Sequence, residues 1–200
     1  MQIDYYLATI SPFTYFAGTR PAEIAARHGA TLVYKPLDII ALFGRTGGTK
    51  PADRHPNRAA YRLAEIRRTA AKLGMPVNPK PAHWPTNPAP SSYAIIAAAR
   101  AAEVEGSGDL AALVAGITRA CWAEERDIAE DEVIADCLAA AGFDRSLVDS
   151  GLMEGAETYG RNLEQAVAAG VFGAPSFVVG DEIFWGQDRL DDLDAHLAAL

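Results

Sequence analysis

Hydrophobic and polar positions along the chain follow two periods. Residues 2–8, Gln-Ile-Asp-Tyr-Tyr-Leu-Ala, are apolar and aromatic enough for a buried strand. Ser11 and Pro12 follow, and then Phe13, Phe16, Ala17, Ile24 and Ala25 recur at helical spacing, predicting a helix over 12–28 that stops at Gly29. Ser11 has the chemistry of an N-cap, and Pro12 suits the first helical position, where no N–H is needed. Thr31 to Leu37 reads as a second strand. A strand, a helix and a strand of these lengths make a βαβ unit, hence parallel pairing through a right-handed crossover.

The middle of the chain loses the strand period. Residues 44–57 are rich in Gly, Pro and polar residues and predict a loop. A helix is predicted over about 58–73, with Leu63, Ile66, Ala70 and Leu73 on one face and Arg62, Arg67, Arg68 and Lys72 on the other. Residues 74–90 are proline-dense, must be extended or turned, and carry Trp84. Helices follow at about 91–105, 109–125, 130–141 and 144–150. The last quarter returns to mixed structure. A helix over 152–170 precedes a strand over 171–179, a Gly180-Asp181 turn, a strand over 182–185 and an amphipathic helix over 188–200. The order βαβ, helices, αββα is an α/β, thioredoxin-like core with a large all-helical insertion. Residues 1–45 and 152–200 form the core, 58–150 the insertion, and 46–57 a loop at the expected site.

Composition narrows the partners. A net charge of −8 argues against nucleic acid and anionic membranes. No stretch approaches the roughly 20 apolar residues of a membrane span, and residues 1–4 lack a basic, apolar leader, so a cytoplasmic protein is expected. Cys121 and Cys137 form no Cys-x-x-Cys pair and have no His at ligand spacing, so they read as buried structural thiols, with neither redox nor metal work.

The candidate chemistry lies in two distant stretches, Ser11-Pro12-Phe13-Thr14 and Gly173-Ala174-Pro175-Ser176. Taken alone, Ser11 caps a helix and Pro175 makes an ordinary trans turn. In a thioredoxin-like frame the same Pro is cis at a strand's start and exposes the backbone of Ala174 to an extended peptide ligand. No Gly-x-Ser-x-Gly elbow surrounds Ser11, so it is not expected to be an acyl-transfer nucleophile.

Three pieces in order, Asp4-Tyr-Tyr…Ser11-Pro-Phe-Thr-Tyr15, Gly170-Val-Phe-Gly-Ala-Pro-Ser-Phe177 and Phe184-Trp-Gly-Gln-Asp-Arg-Leu190, make the chain resemble the 2-hydroxychromene-2-carboxylate isomerases. These are relatives of kappa-class glutathione transferases and of DsbA-type oxidoreductases. The resemblance implies that Ser11 hydrogen-bonds and activates the sulfur of glutathione, the catalytic cofactor. It further implies that Ala174 and cis Pro175 hold the cysteine arm and that Asp188 and Arg189 hold the γ-glutamyl end. Asp53, in a loop at Pro51-Ala52-Asp53 where the family expectation is Asn, falls near glutathione, and Lys35 and Asn162 fall near the organic substrate. Trp84 and Trp185 are expected as pocket walls. The implied reaction interconverts 2-hydroxychromene-2-carboxylate and trans-o-hydroxybenzylidenepyruvate by reversible thiolate addition, ring opening and rotation. A kappa-like glutathione transferase acting on another aromatic-derived electrophile is the alternative. Dithiol chemistry is not expected, because Ser11 and Thr14 occupy both dithiol positions. The substrate carboxylate needs a cation, from Lys35 or from Arg45, Lys50, Arg54 or Arg58. His28, His55, His83 and His196 are assigned no catalysis. A homodimer is the family expectation.

Overall fold

The computed structural model describes residues 1–200, the side chain of Glu105 excepted. Strand β1 (Gln2–Leu7) leads through a turn at residues 8–11 into helix α1 (Pro12–Ala17) and then α2 (Arg20–Arg27). Strand β2 is Thr31–Pro36. The single helix expected over 12–28 is therefore two. Pro21 near the start of α2 has no N–H to offer Ala17, and its ring would clash with that carbonyl, so the first helix cannot run through. Gly18, at φ +53°, takes the turn between them.

A helix not anticipated, α3 (Ile39–Thr46), occupies the start of the expected 44–57 loop. Asp38 caps it, its carboxylate accepting from the N–H groups of Ile40 and Ala41 at 2.9 and 3.0 Å, while Ile39 and Leu42 are buried. A 3₁₀ turn at Pro51–Asp53 precedes α4 (Pro56–Leu73), which begins two residues earlier than expected because Pro56 takes the first helical position. Helices α5 (Ala89–Glu105), α6 (Leu110–Ala123), α7 (Asp131–Ala140), α8 (Leu147–Ser150) and α9 (Leu152–Ala168) follow. Strands β3 (Ser176–Val179) and β4 (Glu182–Trp185) flank the Gly180-Asp181 turn, and a 3₁₀ turn at Gln187–Arg189 leads into α10 (Leu190–Ala198). The strand expected from 171 begins only at Ser176, since the segment before it holds the Ala174-Pro175 peptide, which is cis, and joins no ladder.

The sheet order is β2-β1-β3-β4. β1 runs parallel to β2 and antiparallel to β3, and β3 pairs antiparallel with β4. β1 and β3 are central and apolar on both faces: Ile3, Tyr5, Tyr6, Leu7, Phe177 and Val178 are all buried. Tyr5 stacks on Phe177 at 4.7 Å between ring centres. This arrangement is the expected thioredoxin-like α/β core, with the inserted helices packed onto it. The helical block and the sheet share one hydrophobic cluster, which runs from Ile3 and Phe177 to Leu113, Ile117 and Trp122.

The helices meet most closely where α5 crosses α9. There Gly155 lies against Tyr93 so tightly that a methyl group on Gly155 would sit 2.6 Å from Tyr93 Cβ and 2.9 Å from its Cα. The second contact is backbone and cannot rotate away. Gly155→Ala should therefore lower stability by about 1–3 kcal/mol through overpacking, read as a lower denaturant midpoint with an unchanged slope. Gly160, on the same helix with nothing within 4 Å of its missing Cβ, is the control: Gly160→Ala should be neutral or stabilising.

Candidate active site

The site follows from where β1 ends. The turn after β1 is closed by Ser11 N–H donating to the Ala8 carbonyl at 3.0 Å, which brings Ser11 to the start of α1. Ser11 Oγ accepts from the Thr14 N–H at 3.3 Å, as an N-cap should. The same hydroxyl donates to the carbonyl of Ala174 at 3.2 Å. Two stretches 163 residues apart are thereby joined through one side chain. Thr14 is buried, with an Oγ1 that has no partner among the described residues.

The Ala174-Pro175 loop is held from both sides. Ser176 Oγ donates to Gly173 O at 2.8 Å, and the Gly186 N–H donates to Pro175 O at 2.9 Å. The second bond ties the loop to the turn carrying Asp188 and Arg189. Gly186 sits at φ +111°, a conformation that favours glycine, and a side chain there would meet Asp188 Oδ1. Asp188 and Arg189 pair with each other at 2.9 Å, and Arg189 also reaches Asp192 at 3.1 Å. Both are exposed, and their turn packs against α1. Ser11, Ala174, Pro175, Asp188 and Arg189 thus converge on one edge of the molecule.

The remaining expected residues separate. Trp84 lies in the loop before α5, and its Nε1 donates to the carbonyl of Ile10, the residue before Ser11, at 3.0 Å. It walls a cleft of about 310 Å³ whose lining includes Pro51, Arg54, Arg62, Leu63 and Pro81. Trp185 is half-exposed elsewhere, edge-on to Phe172 at 4.8 Å and over Gly173, outside this lining. Asp53 is exposed, and its neighbour Arg54 lines the cleft instead. Lys35 is ion-paired with Asp4 at 2.7 Å and lies over the Tyr6 ring. Asn162 is buried, and its amide donates to the Pro36 carbonyl at 2.9 Å, pinning α9 to the end of β2. Neither Lys35 nor Asn162 lines the cleft. Of the other cations weighed for the carboxylate, Arg45 is paired with Glu164, and Lys50 and Arg58 are exposed.

Arg62 was read from the sequence only as part of a basic helix face. In the fold it turns inward, its guanidinium carbon 4.9 Å from the Trp84 ring centre and 5.7 Å from that of Trp122. The usable signal was spacing: Arg62 stands four residues before Ile66, on the buried side of α4, while Arg67 and Arg68 point to solvent.

Both cysteines are buried, and burial is the main cause that pushes the Cys121 thiol to about 12 and the Cys137 thiol to about 11. Neither is thiolate at neutral pH. The native protein should give no thiol reaction with dithionitrobenzoate at pH 8 within minutes, and both thiols should react after denaturation. Among the described residues no group of three or more His, Cys, Asp or Glu is placed to hold a metal, and no helix is long and apolar enough to cross a membrane.

A serine at a helix start, bonded to the residue before a cis proline off the end of the two central strands of a four-stranded sheet, defines a thioredoxin-like protein with Ser11 and Thr14 at the two dithiol positions. The family model for a DSBA-like thioredoxin domain matches residues 2–198. The chain is 30% identical over 198 residues to the 2-hydroxychromene-2-carboxylate isomerase of Sphingobium xenophagum, covering 98% of this chain and 97% of that one. The enzyme of that name from Pseudomonas putida is 29% identical over 205 residues, covering 100% and 96%. A solved structure of 2-hydroxychromene-2-carboxylate isomerase superposes with a TM-score of 0.77 at 27% identity, covering 100% of this chain and 95% of that one. The chain belongs to the DsbA-like thioredoxin family and, within it, to the 2-hydroxychromene-2-carboxylate isomerases.

Proposed function

We propose that this protein is a glutathione-dependent isomerase of 2-hydroxychromene-2-carboxylate and its ring-opened trans-benzylidenepyruvate isomer. The observation that carries the reading is the bond from Ser11 Oγ to Ala174 O beside cis Pro175. It supports a site for a cysteinyl peptide, because a hydroxyl donor and a pair of strand-like backbone groups stand within one hydrogen bond of each other. The donor set fits glutathione: a hydroxyl for the sulfur, backbone for the cysteine arm, and the charged pair Asp188 and Arg189 for the zwitterionic γ-glutamyl end. When bound, glutathione would supply a thiolate able to add to, and leave from, the conjugated carbon whose double bond must rotate.

The chain's own part is to hold that sulfur and to favour its anion. A free thiol has a pKa of about 8.5 and is only a few per cent ionised at pH 7. Ser11 turns its proton from the Ala174 carbonyl to the sulfur, and that carbonyl keeps its lone pairs for a ligand N–H. Its Oγ still accepts from Thr14 N–H, which keeps the hydroxyl oriented and polarised as a donor. The Trp84 cleft, with its prolines and arginines, receives the aromatic acid next to that sulfur.

Purified protein should convert 2-hydroxychromene-2-carboxylate, followed by ultraviolet absorbance, when glutathione is present. Chlorodinitrobenzene separates the two enzyme classes. Rapid isomerisation with little conjugation supports the isomerase; rapid conjugation without isomerisation would mark a transferase and overturn the reading.

A further inference from the structure

The cleft beside Trp84 is lined by positive charge without any negative counterpart. Arg54, Arg62 and Lys80 line it, and no acidic residue is in its lining. Many arginines elsewhere on the surface are paired, Arg145 with Asp136 and Glu132, Arg126 with Asp136, Arg119 with Glu124, and those without a carboxylate, such as Arg58 and Arg67, are exposed to water. Among the described residues neither Arg54 nor Arg62 has a carboxylate partner. Arg54 spends its Nε on the Thr49 carbonyl at 3.1 Å, which fixes the side chain and leaves the forked end free. Arg62 makes no hydrogen bond among the described residues and rests against the two indoles. A guanidinium carries five N–H donors, and taking it part-way out of water without partners is unfavourable. Such an arrangement is stable as a waiting anion site, with one aromatic wall and an apolar floor of Pro51, Leu63 and Pro81.

We infer that Arg62, assisted by Arg54, binds the carboxylate of a planar aromatic acid whose ring lies along Trp84. This assignment deepens the proposed function and rests on it for the identity of the reacting acid. The planar fork of Arg62 matches a carboxylate in bidentate fashion, as a lysine ammonium would not. Trp84 links the two halves of the site, because the indole that walls the cleft is bonded to the residue preceding Ser11. An acid anchored at Arg62 therefore has its conjugated chain on the Ser11 side. Burial, and then the charge of Arg54, lower the Arg62 pKa to about 10, so it stays cationic at neutral pH. Lys35, which the resemblance places near the organic substrate, is ion-paired with Asp4.

The test compares cinnamate with cinnamamide, equal in shape and different in charge, by calorimetry on the full chain without glutathione. Cinnamate should bind about tenfold or more tightly than the amide, the size of a charge-assisted hydrogen-bonded pair. Arg62→Gln should remove the preference, Arg62→Lys should restore only part of it, and Arg67→Gln, on the exposed face of the same helix, should leave it intact. In turnover, Arg62→Gln should raise KM for the chromene carboxylate far more than it lowers kcat. Equal binding of acid and amide by the native protein, or a preference that survives Arg62→Gln, overturns the assignment. The native comparison needs no variant to fold. Turnover without an acid preference would sink Arg62 alone, and an acid preference without turnover would sink the isomerase reading alone.

Discussion

Ser11→Ala is expected to lower kcat for the isomerisation by about 10–100-fold at pH 7, the value of one hydrogen bond to a charged group. The loss should depend on pH, and the direction follows from which form reacts. In the proposed mechanism the donor stabilises the glutathione thiolate, so it would lower the pKa of the bound sulfur. Two units of lowering correspond to about 2.7 kcal/mol of preference for the anion. Without Ser11 the sulfur needs a higher pH to ionise, so the rise of kcat with pH moves up towards the free-thiol value of about 8.5. The difference between native and variant should shrink as the pH passes that value. A loss that stays constant across the whole range would mean that Ser11 acts on something other than the sulfur's ionisation. The fold should survive. The variant forfeits the cap to Thr14 N–H, about 1 kcal/mol, together with the single tie to Ala174.

Trp122→Ala is expected to have the largest effect on stability. Trp122 is fully buried on α6, with its ring 5.8 Å from that of Trp84 and 5.7 Å from the Arg62 guanidinium. Truncating a buried Trp costs about 3–5 kcal/mol in lost burial and residual cavity. For a chain of this length that corresponds to roughly 6–20 °C in Tm. Its Nε1 has no hydrogen-bond partner among the described residues, so the loss should come from packing rather than from a broken bond. Trp122→Phe, which keeps most of the ring, should recover most of the stability. The alanine variant should also weaken aromatic-acid binding, because Trp84 and Arg62 would lose the surface against which both are set. A thermal melt and a cinnamate titration on the same sample test both halves.

The sequence carried the parts of the fold that depend on local pattern. β1, β2, the hairpin of β3 and β4, and the long helices α4 to α7 and α9 are all present and, apart from the late start of β3, lie within a few residues of expectation. The discrepancies come from particular residues. Pro21 divides the first helix, and its signal was present but outweighed by the apolar spacing of Phe16 and Ile24. α3 was missed because Gly44 near its end and Gly47 and Gly48 just after it read as loop, while its stability comes from the Asp38 cap and the burial of Ile39 and Leu42. The site divides in the same way. Ser11, Ala174, Pro175, Asp188 and Arg189 sit in motifs that could be read in order along the chain, and the fold brings them to one edge. The cleft was not legible. Its shape depends on α4, the 3₁₀ turn at Pro51–Asp53 and the Trp84 loop meeting in three dimensions, and charge alone could not separate Arg62 from Arg67 and Arg68. Lys35 shows the converse: a cation in a plausible place whose charge is already matched by Asp4 across β1 and β2.

The central claim is that the protein tunes a borrowed sulfur and returns it. The direct measurement is the number of chromene carboxylate molecules isomerised per glutathione by dialysed enzyme, with the thiol assayed before and after. The account predicts negligible conversion without glutathione, many turnovers for each glutathione added, and full recovery of the free thiol. Equal conversion in the absence of glutathione, or one thiol consumed per substrate converted, would contradict it.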